Sequence, residues 1–163
     1  MITEGPHNQE RLIPIAETFT SIQGEGSNAG TRMTFFRLAG CTVGKRFHQA
    51  HYGGIHSDDF RVIQYPSYVN QCTAFDGRTF PCDTDYGMKE RLTVAQLMDR
   101  IPKGVRWVSI TGGEPLMHMD AVRDLVKALL EKGLYYQIET SGTISLDGED
   151  IITPSCYHLI SQE

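Results

Sequence analysis

The residues of this chain that are most capable of chemistry are three cysteines, Cys41, Cys72 and Cys82. Three thiolates can hold three corners of a four-iron, four-sulfur cluster and leave the fourth iron open for a small molecule. Cys41 and Cys82 lie in polar or turn-like sequence, whereas Cys156 is interpreted as an ordinary buried thiol. The cysteines therefore indicate a metal site, and an iron–sulfur cluster is one way to build it.

A zinc site is the alternative that the same cysteines allow. Thirty residues separate Cys41 from Cys72 and nine separate Cys72 from Cys82, which is not the spacing of a compact metal knuckle. Zinc accepts thiolate and imidazole ligands equally well, so Cys72 and Cys82 could form a zinc site with one of the nearby histidines. Spacing alone does not decide between the two metals. Without such a role, these histidines are interpreted as solvated loop residues; they are His48, His51 and His56.

A second chemical feature is the sequence Thr-Gly-Gly-Glu-Pro at residues 111–115, directly after an apolar strand. Glycine backbone can approach a ligand closely because it carries no side chain. Glu114 offers a charged acceptor for the ammonium group of an amino-acid-like cofactor. The simpler interpretation is a strand-to-helix connection in which proline starts the helix.

Length and charge limit the class of protein. The chain has 163 residues, of which 40% are hydrophobic, so a single globular domain over residues 1–163 is expected. A net charge of −5 without a compensating basic stretch argues against nucleic-acid binding. No apolar run reaches the ~18 residues of a membrane span, and the polar leader lacks the apolar core of a signal peptide. We expect a soluble, cytoplasmic protein.

The hydrophobic pattern predicts an α/β fold. Strands are predicted at 13–19, 33–39, 105–111 and 134–140, with helices before and after the third of them. Thr93 and Gln96 fit a capping box for the first helix, and Asp120 is predicted to cap the second. The buried face of the second helix is predicted to comprise Val122, Leu125, Val126, Leu129 and Leu130. Residues 42–71 show no period and are interpreted as a long loop.

The order of strands and helices favours parallel pairing, which gathers active groups at the carboxyl ends of the strands. Cys41, the turn at 111–115 and the segment 139–142 all lie at such ends. The last predicted strand, 134–140, would leave one edge of the sheet uncovered, and an open edge invites pairing with another chain.

Five motifs occur in an order that resembles the 7-carboxy-7-deazaguanine synthases (the QueE family), which are radical S-adenosylmethionine (SAM) enzymes. They are Ile-Gln-Gly-Glu-Gly at 22–26, Phe-Arg-Leu-Ala-Gly-Cys at 36–41, Cys-Asp-Thr-Asp at 82–85, Ile-Thr-Gly-Gly-Glu-Pro-Leu at 110–116 and Glu-Thr-Ser-Gly-Thr at 139–143. The resemblance covers about residues 12–145. It implies a reduced, incomplete (β/α) barrel of the radical SAM type.

The resemblance also implies an activity. The family contracts the ring of 6-carboxy-5,6,7,8-tetrahydropterin to 7-carboxy-7-deazaguanine with release of ammonia, as a lyase of queuosine-precursor biosynthesis. Its cofactors are a 4Fe-4S cluster, SAM and Mg²⁺. Its usual assembly is a homodimer, and a cellular electron donor such as flavodoxin would reduce the cluster.

Carried over residue by residue, the resemblance assigns roles to twelve positions. The cluster ligands would be Cys41, Cys72 and Cys82, and Thr84 would lend an oxygen to Mg²⁺. SAM would be bound by Gly113, Glu114 and Ser141. The pterin would be bound by Ile22, Gln23, Gly24, Arg37 and Thr111.

This sequence departs from the family pattern in two ways. The family's cysteines usually lie close together, whereas here an insertion at about 42–81 separates them, and Cys72 is assigned by elimination. The family also continues into a substrate-contacting tail beyond the segment that residues 152–155 resemble, so we expect a carboxyl-terminally truncated or phage-like compact form. Two alternatives are a radical SAM activase that makes a glycyl radical on a partner protein, and a zinc-stabilised, non-catalytic binding domain.

Overall fold

A computed structural model of the protein describes residues 11–42, 70–73, 78–82, 87–144 and 157–159. The architecture is mixed α/β and consists of one six-stranded sheet, a separate two-stranded hairpin and helices that pack on one face of the sheet. None of the helices in these ranges is long and apolar enough to cross a membrane.

The elements follow one another along the chain as strands first and then as alternating helices and strands. The first five strands are β1 (Ile13–Ile22), β2 (Arg32–Leu38), β3 (Asn70–Thr73), β4 (Thr79–Cys82) and β5 (Glu90–Leu92). The remaining elements are α1 (Val94–Asp99), β6 (Trp107–Gly112), a 3₁₀ helix (Pro115–His118), α2 (Met119–Glu131), β7 (Tyr135–Thr140) and β8 (Tyr157–Leu159).

The strand order of the main sheet is β5-β1-β2-β6-β7-β8. Strands β2, β6, β7 and β8 run parallel to one another, as the alternation of strands and helices predicts. Strand β1 instead pairs antiparallel with both β2 and β5. The sheet is therefore parallel where it carries the Gly-Gly-Glu-Pro turn and antiparallel at its other edge.

The prediction that β7 forms an uncovered edge is wrong. Strand β8 pairs with β7 in parallel, with Ile138 opposite Tyr157 and Thr140 opposite Leu159. The chain thus covers this edge with its own later segment, which lay beyond the region where the hydrophobic pattern predicted strands. The edge no longer gives a physical reason to expect a second subunit there.

The predicted loop at 42–71 ends at a hairpin that the pattern did not indicate. Strands β3 and β4 pair antiparallel, so that Cys72 lies opposite Phe80 and Cys82 lies opposite Asn70. This hairpin falls within the predicted insertion at about 42–81, and most of that insertion lies outside the described residues.

The capping box predicted for α1 is confirmed. Thr93 Oγ1 accepts from Gln96 N (3.2 Å), and Gln96 Oε1 accepts from Thr93 N (2.9 Å). The cap predicted for α2 is wrong, because Pro115 starts a 3₁₀ helix that runs directly into α2. His118 thereby becomes the N-cap residue, and Asp120 lies inside the first turn.

The hydrophobic core lies between the helices and one face of the main sheet. Phe36 on β2, Ile110 on β6 and Ile138 on β7 occupy paired register positions on this face, and each is fully buried. Helix α2 contributes four of the five residues predicted for its buried face: Val122, Leu125, Val126 and Leu129. Leu130, the fifth, is 58% exposed, so that part of the prediction is wrong.

An ion pair joins the end of α1 to β5, the strand at the antiparallel edge of the sheet. Arg100, which follows α1, binds both carboxylate oxygens of Glu90 on β5 and also donates to Thr18 Oγ1 on β1 (2.9 Å). Hydrogen bonds from the Arg100 guanidinium lower the pKa of the Glu90 carboxyl. Because both side chains are about one-third exposed, we expect this ion pair to contribute little to the free energy of unfolding.

Gly112 is required by the packing of β6 against β2. A Cβ atom at this position would lie 2.3 Å from the carbonyl oxygen of Leu38 and 3.0 Å from its nitrogen. The neighbour is backbone in a paired strand, which cannot move aside without disturbing the ladder. Gly112 also has φ of +153°, a conformation that side chains rarely adopt.

We predict that Gly112→Ala lowers the free energy of unfolding by about 2–4 kcal/mol, since overpacking adds to backbone strain. The measurement is urea denaturation followed by circular dichroism. Gly104→Ala is the matched control, because Gly104 also has positive φ (+86°) but open space around it. Equal losses in the two variants would contradict the clash with Leu38.

Candidate functional site

Polar side chains cover the sheet face that is opposite the helices. We call this surface the polar face and define it by Arg37, Ser109, Thr111, Gln137 and Glu139. Register pairs Arg37 with Thr111 and Ser109 with Gln137, and Glu139 follows Gln137 by two residues on the same side of β7. Ser109, Thr111 and Gln137 are buried although they are polar. Polar groups in this environment need defined partners.

A hydrogen-bond network centred on Glu139 provides those partners. Glu139 Oε1 accepts from Gln23 Nε2 (2.7 Å), from Ser109 Oγ (2.7 Å) and from Gln137 Nε2 (2.8 Å). A carboxylate oxygen that accepts three hydrogen bonds is held in one place. The network fixes one end of this carboxylate group on the polar face.

The turn between β1 and β2 folds over the polar face. Gln23 N donates to Thr31 O (2.8 Å) and Gly30 N donates to Gln23 O (2.7 Å), which closes the turn. From this turn Gln23 reaches Glu139, and Asn28 Nδ2 donates to Gln137 Oε1 (2.8 Å). The sequence motif at 22–26 is therefore joined to the face of the sheet that bears Arg37 and Thr111.

The three residues of this motif that were assigned to substrate differ in their surroundings. Gln23 is buried, whereas Ile22 is 57% exposed at the end of β1. Gly24 is exposed, and a Cβ atom there would meet nothing within 4 Å. Of the three, Gln23 is the residue whose side chain the structure brings into the polar network.

Arg37 has an unused hydrogen-bond donor. Its Nε atom is buried and has no hydrogen-bond partner within the described ranges. Its Nη1 atom lies 3.8 Å from Glu17 Oε2, and its guanidinium carbon lies 5.7 Å from the centre of the Phe19 ring. The side chain is only 22% exposed. A half-buried guanidinium with one buried, spare donor favours an anionic ligand beside it.

Glu114 is wholly buried and its carboxylate is bound by the protein. Its Oε1 atom accepts from Leu116 N (2.9 Å) and Thr140 Oγ1 (2.8 Å). Its Oε2 atom accepts from Ser141 N (2.9 Å), Ser141 Oγ (2.6 Å) and Thr140 Oγ1 (2.7 Å). The side chain thus joins the turn after β6 to the end of β7, and these donors surround the carboxylate that was expected to face an ammonium group.

Cys41 lies next to the Gly-Gly-Glu-Pro turn. It follows β2 and is only 7% exposed. Glu114 N donates to Gly40 O (3.0 Å), and His118 Nε2 donates to Ala39 O (2.7 Å). Two motifs that are far apart in sequence, the cysteine turn and the Gly-Gly-Glu-Pro turn that contains Gly113, are in direct contact at the carboxyl ends of β2 and β6.

The other proposed metal ligands are less fully described. Cys72 and Cys82 lie on opposite strands of the β3–β4 hairpin, two register positions apart, because Cys72 pairs with Phe80 and Cys82 pairs with Asn70. Thr84 and the three histidines at 48, 51 and 56 lie outside the described residues. Among the described side chains, no group of three or more His, Cys, Asp or Glu is arranged to hold a metal. Three thiols, one at a buried strand end and two on one hairpin, suit an iron–sulfur cluster as a donor set.

Sequence reasoning missed three members of the network, Ser109, Gln137 and Asn28, and gave no role to the side chain of Glu139. A signal for them existed in β7, whose residues alternate between apolar and polar types in Tyr-Gln-Ile-Glu. Alternation indicates a strand with one polar face. No sequence pattern indicates that the turn after β1 is the partner of this face.

Comparisons with known proteins identify relatives over most of the chain. A 7-carboxy-7-deazaguanine synthase from Synechocystis sp. is 35% identical over 150 residues, which are 90% of this chain and 57% of the relative. Those from Methanospirillum hungatei and Hyperthermus butylicus are 32% and 30% identical, and the matches cover 87% and 92% of this chain and 47% and 52% of the relatives. No family model matches the chain.

The fold has a solved counterpart. The crystal structure of QueE from Escherichia coli matches with a TM-score of 0.57 and 26% identity, over 91% of this chain and 58% of that chain. This chain spans about half the length of the curated relatives it matches. Sequence and fold agree, and the resemblance found in the five motifs is confirmed. The chain is a homologue of the 7-carboxy-7-deazaguanine synthases over about half of their length.

Proposed function

We propose that the protein acts as a radical SAM 7-carboxy-7-deazaguanine synthase, a carbon–nitrogen lyase. The substrate would be 6-carboxy-5,6,7,8-tetrahydropterin, and the products would be 7-carboxy-7-deazaguanine and ammonia, within queuosine-precursor biosynthesis. The observation that carries this proposal is the contact between the Cys41 turn and the Gly-Gly-Glu-Pro turn, through Glu114 N and Gly40 O at 3.0 Å. A cluster ligand and a SAM-binding turn have to be neighbours for this chemistry.

The polar face would bind the pterin. Arg37 suits the substrate carboxylate because a guanidinium can bond both oxygens of a carboxylate, and its buried Nε is available. Thr111, its register partner, adds a hydroxyl group. Gln23 and Glu139 would supply an amide and a carboxylate to the ring, with Ile22 and Gly24 as backbone contacts from the same turn.

The ends of β6 and β7 would bind the methionine part of SAM. Gly113 would present backbone, and Ser141 would contribute from the exposed position after β7. The Glu114 carboxylate accepts from both the nitrogen and the hydroxyl of Ser141. We therefore propose that Glu114 acts on SAM through Ser141, because it holds the two turns at a fixed separation.

Cys41, Cys72 and Cys82 would hold a 4Fe-4S cluster. When bound, the cluster and SAM supply the one-electron chemistry of the reaction. Thr84 would offer an oxygen to Mg²⁺, a cation that prefers oxygen ligands. An incomplete (β/α) barrel, a homodimer, a flavodoxin-type electron donor and a cytoplasmic location are proposed from the family resemblance.

The two alternative functions have weaker support. A glycyl-radical activase would share the cluster and the Gly-Gly-Glu-Pro turn, but the relatives that match this chain carry the synthase name. A zinc-stabilised binding domain would leave the Arg37 donor and the Glu139 network without a purpose. Anaerobically purified protein distinguishes the metals, because a cluster absorbs visible light whereas zinc is colourless.

The cysteine assignment predicts how much iron each variant binds. Cys41→Ala, Cys72→Ala and Cys82→Ala should each lose most of the bound iron, since a cluster held by two thiolates is poorly retained. Cys156→Ala is the matched control and should keep it. Iron per chain after anaerobic reconstitution is the measurement. Retention of iron in Cys72→Ala would remove Cys72 from the set, and loss in Cys156→Ala would show that the set is wrong.

Arg37→Lys should weaken substrate binding by about tenfold to a hundredfold, the equivalent of one or two charge-assisted hydrogen bonds. Lysine keeps the positive charge but loses the forked geometry that binds both oxygens of a carboxylate. SAM cleavage without substrate does not use that geometry and should be nearly unchanged. Arg32→Lys, at the exposed start of the same strand, is the matched control. A parallel loss of both activities would mean that Arg37 serves the fold instead.

Glu114→Gln should lower the free energy of unfolding by about 1–3 kcal/mol, because an amide NH₂ group would face donors in place of one carboxylate oxygen. The cluster should be retained, and SAM affinity measured by titration should fall together with this stability. Thr140→Val removes a donor to Glu114 but leaves both donors from Ser141. It therefore tests whether SAM affinity depends on the hydrogen bonds between Glu114 and Ser141. If SAM affinity fell in Glu114→Gln without any loss of stability, the carboxylate would contact SAM directly.

A further inference from the structure

The backbone that leads into Cys41 is held at consecutive residues. Ala39 N donates to Pro14 O (3.0 Å), Ala39 O accepts from His118 Nε2 (2.7 Å) and Gly40 O accepts from Glu114 N (3.0 Å). The Met117 sulfur lies 3.6 Å from the position that a Cβ atom on Gly40 would occupy. The segment 114–118 therefore forms a wall against the turn that presents Cys41.

His118 is the side chain of that wall that reaches the turn by a hydrogen bond. It occupies the N-cap position of α2 but makes no side-chain hydrogen bond to the helix. The ring is half-buried and is directed instead to the Ala39 carbonyl. His118 therefore does not cap α2 with its side chain. Its hydrogen bond restrains the backbone at the end of β2 instead.

We propose that His118 is a positioning residue for Cys41. By donating to Ala39 O, it fixes the peptide two residues before the thiol, and Glu114 N fixes the next one. Groups that orient a metal ligand through its neighbours affect metal retention even though they do not touch the metal. The role of Cys41 as a cluster ligand rests on the proposed function, whereas the restraint on its backbone belongs to the metal-free chain.

The test uses the metal-free full chain and a thiol-alkylating reagent. The alkylation rate of each of the four cysteines is followed by peptide mass spectrometry in His118→Ala, His118→Phe and His118→Gln. In the alanine and phenylalanine variants the rate at Cys41 should rise about fivefold, the factor equivalent to one hydrogen bond of about 1 kcal/mol. His118→Gln should stay near the wild-type rate, since its amide nitrogen can reach the same carbonyl.

The other cysteines serve as internal controls. General destabilisation would raise the rates at Cys72, Cys82 and Cys156 as well, whereas loss of positioning raises the rate at Cys41 alone. An unchanged rate at Cys41 in both His118→Ala and His118→Phe, or an equal rise at all four cysteines, would overturn the proposal. Should one variant fail to fold, the other gives the same comparison.

Iron retention separates this proposal from the proposed function. After reconstitution, a chelator should remove iron from His118→Ala several times faster than from wild type or His118→Gln. If wild-type protein bound no iron while the alkylation rate still rose at Cys41, the proposed function would fail and the restraint on the turn would stand. If wild-type protein bound iron and His118→Ala released it at the same rate, His118 would have no part in the metal site.

Discussion

The arrangement of the site depends on one buried carboxylate, Glu114, and on the hydrogen bonds that satisfy it. Burying a charge is unfavourable unless donors surround it, and here they come from its own turn and from the end of β7. Its backbone nitrogen also binds the turn after β2. The carboxyl ends of three neighbouring strands are thus held by one residue. Any shift of one strand end would leave a charged oxygen or a carbonyl without its partner.

This constraint explains why the chemistry-bearing motifs lie where they do. Gly112 lets β6 approach the Leu38 carbonyl of β2, and Glu114 then crosses to Thr140 and Ser141 of β7. Gly112 and Glu114 are therefore needed for the packing and hydrogen bonding of the strand ends, whether or not a ligand is bound. A motif that is interpreted as a cofactor site can also hold together the strand ends that form the site.

Most of the parallel core could be predicted from the sequence, because its signals are local. The capping box at Thr93 and the apolar spacing in α2 each report on a few neighbouring residues, and the strand before Gly112 is short and apolar. Cys41 and the Gly-Gly-Glu-Pro turn were expected at the same edge of the sheet, and they are in contact there. Parallel connectivity made that expectation possible.

What the sequence did not reveal depends on long-range partners. Strand β8 covers β7 although only three residues pair, and a run that short carries little periodicity. The antiparallel pairing of β1 with β2 depends on a turn that contains no two-residue hairpin signal. The prediction that Asp120 caps α2 was wrong because a 3₁₀ helix begins upstream at Pro115. The network around Glu139 could not be read because its donors come from three separate segments.

The hydrogen bond from Gln23 to Glu139 has a consequence for how the molecule folds. It joins residues 116 positions apart, and the bond from Asn28 to Gln137 spans 109 positions. Contacts of such high sequence separation are expensive in loop entropy and tend to form late. On a ribosome, the turn between β1 and β2 could bind the polar face only after β7 had emerged. The site is therefore among the last parts of the described chain to be completed, after the helical side has a core on which to fold.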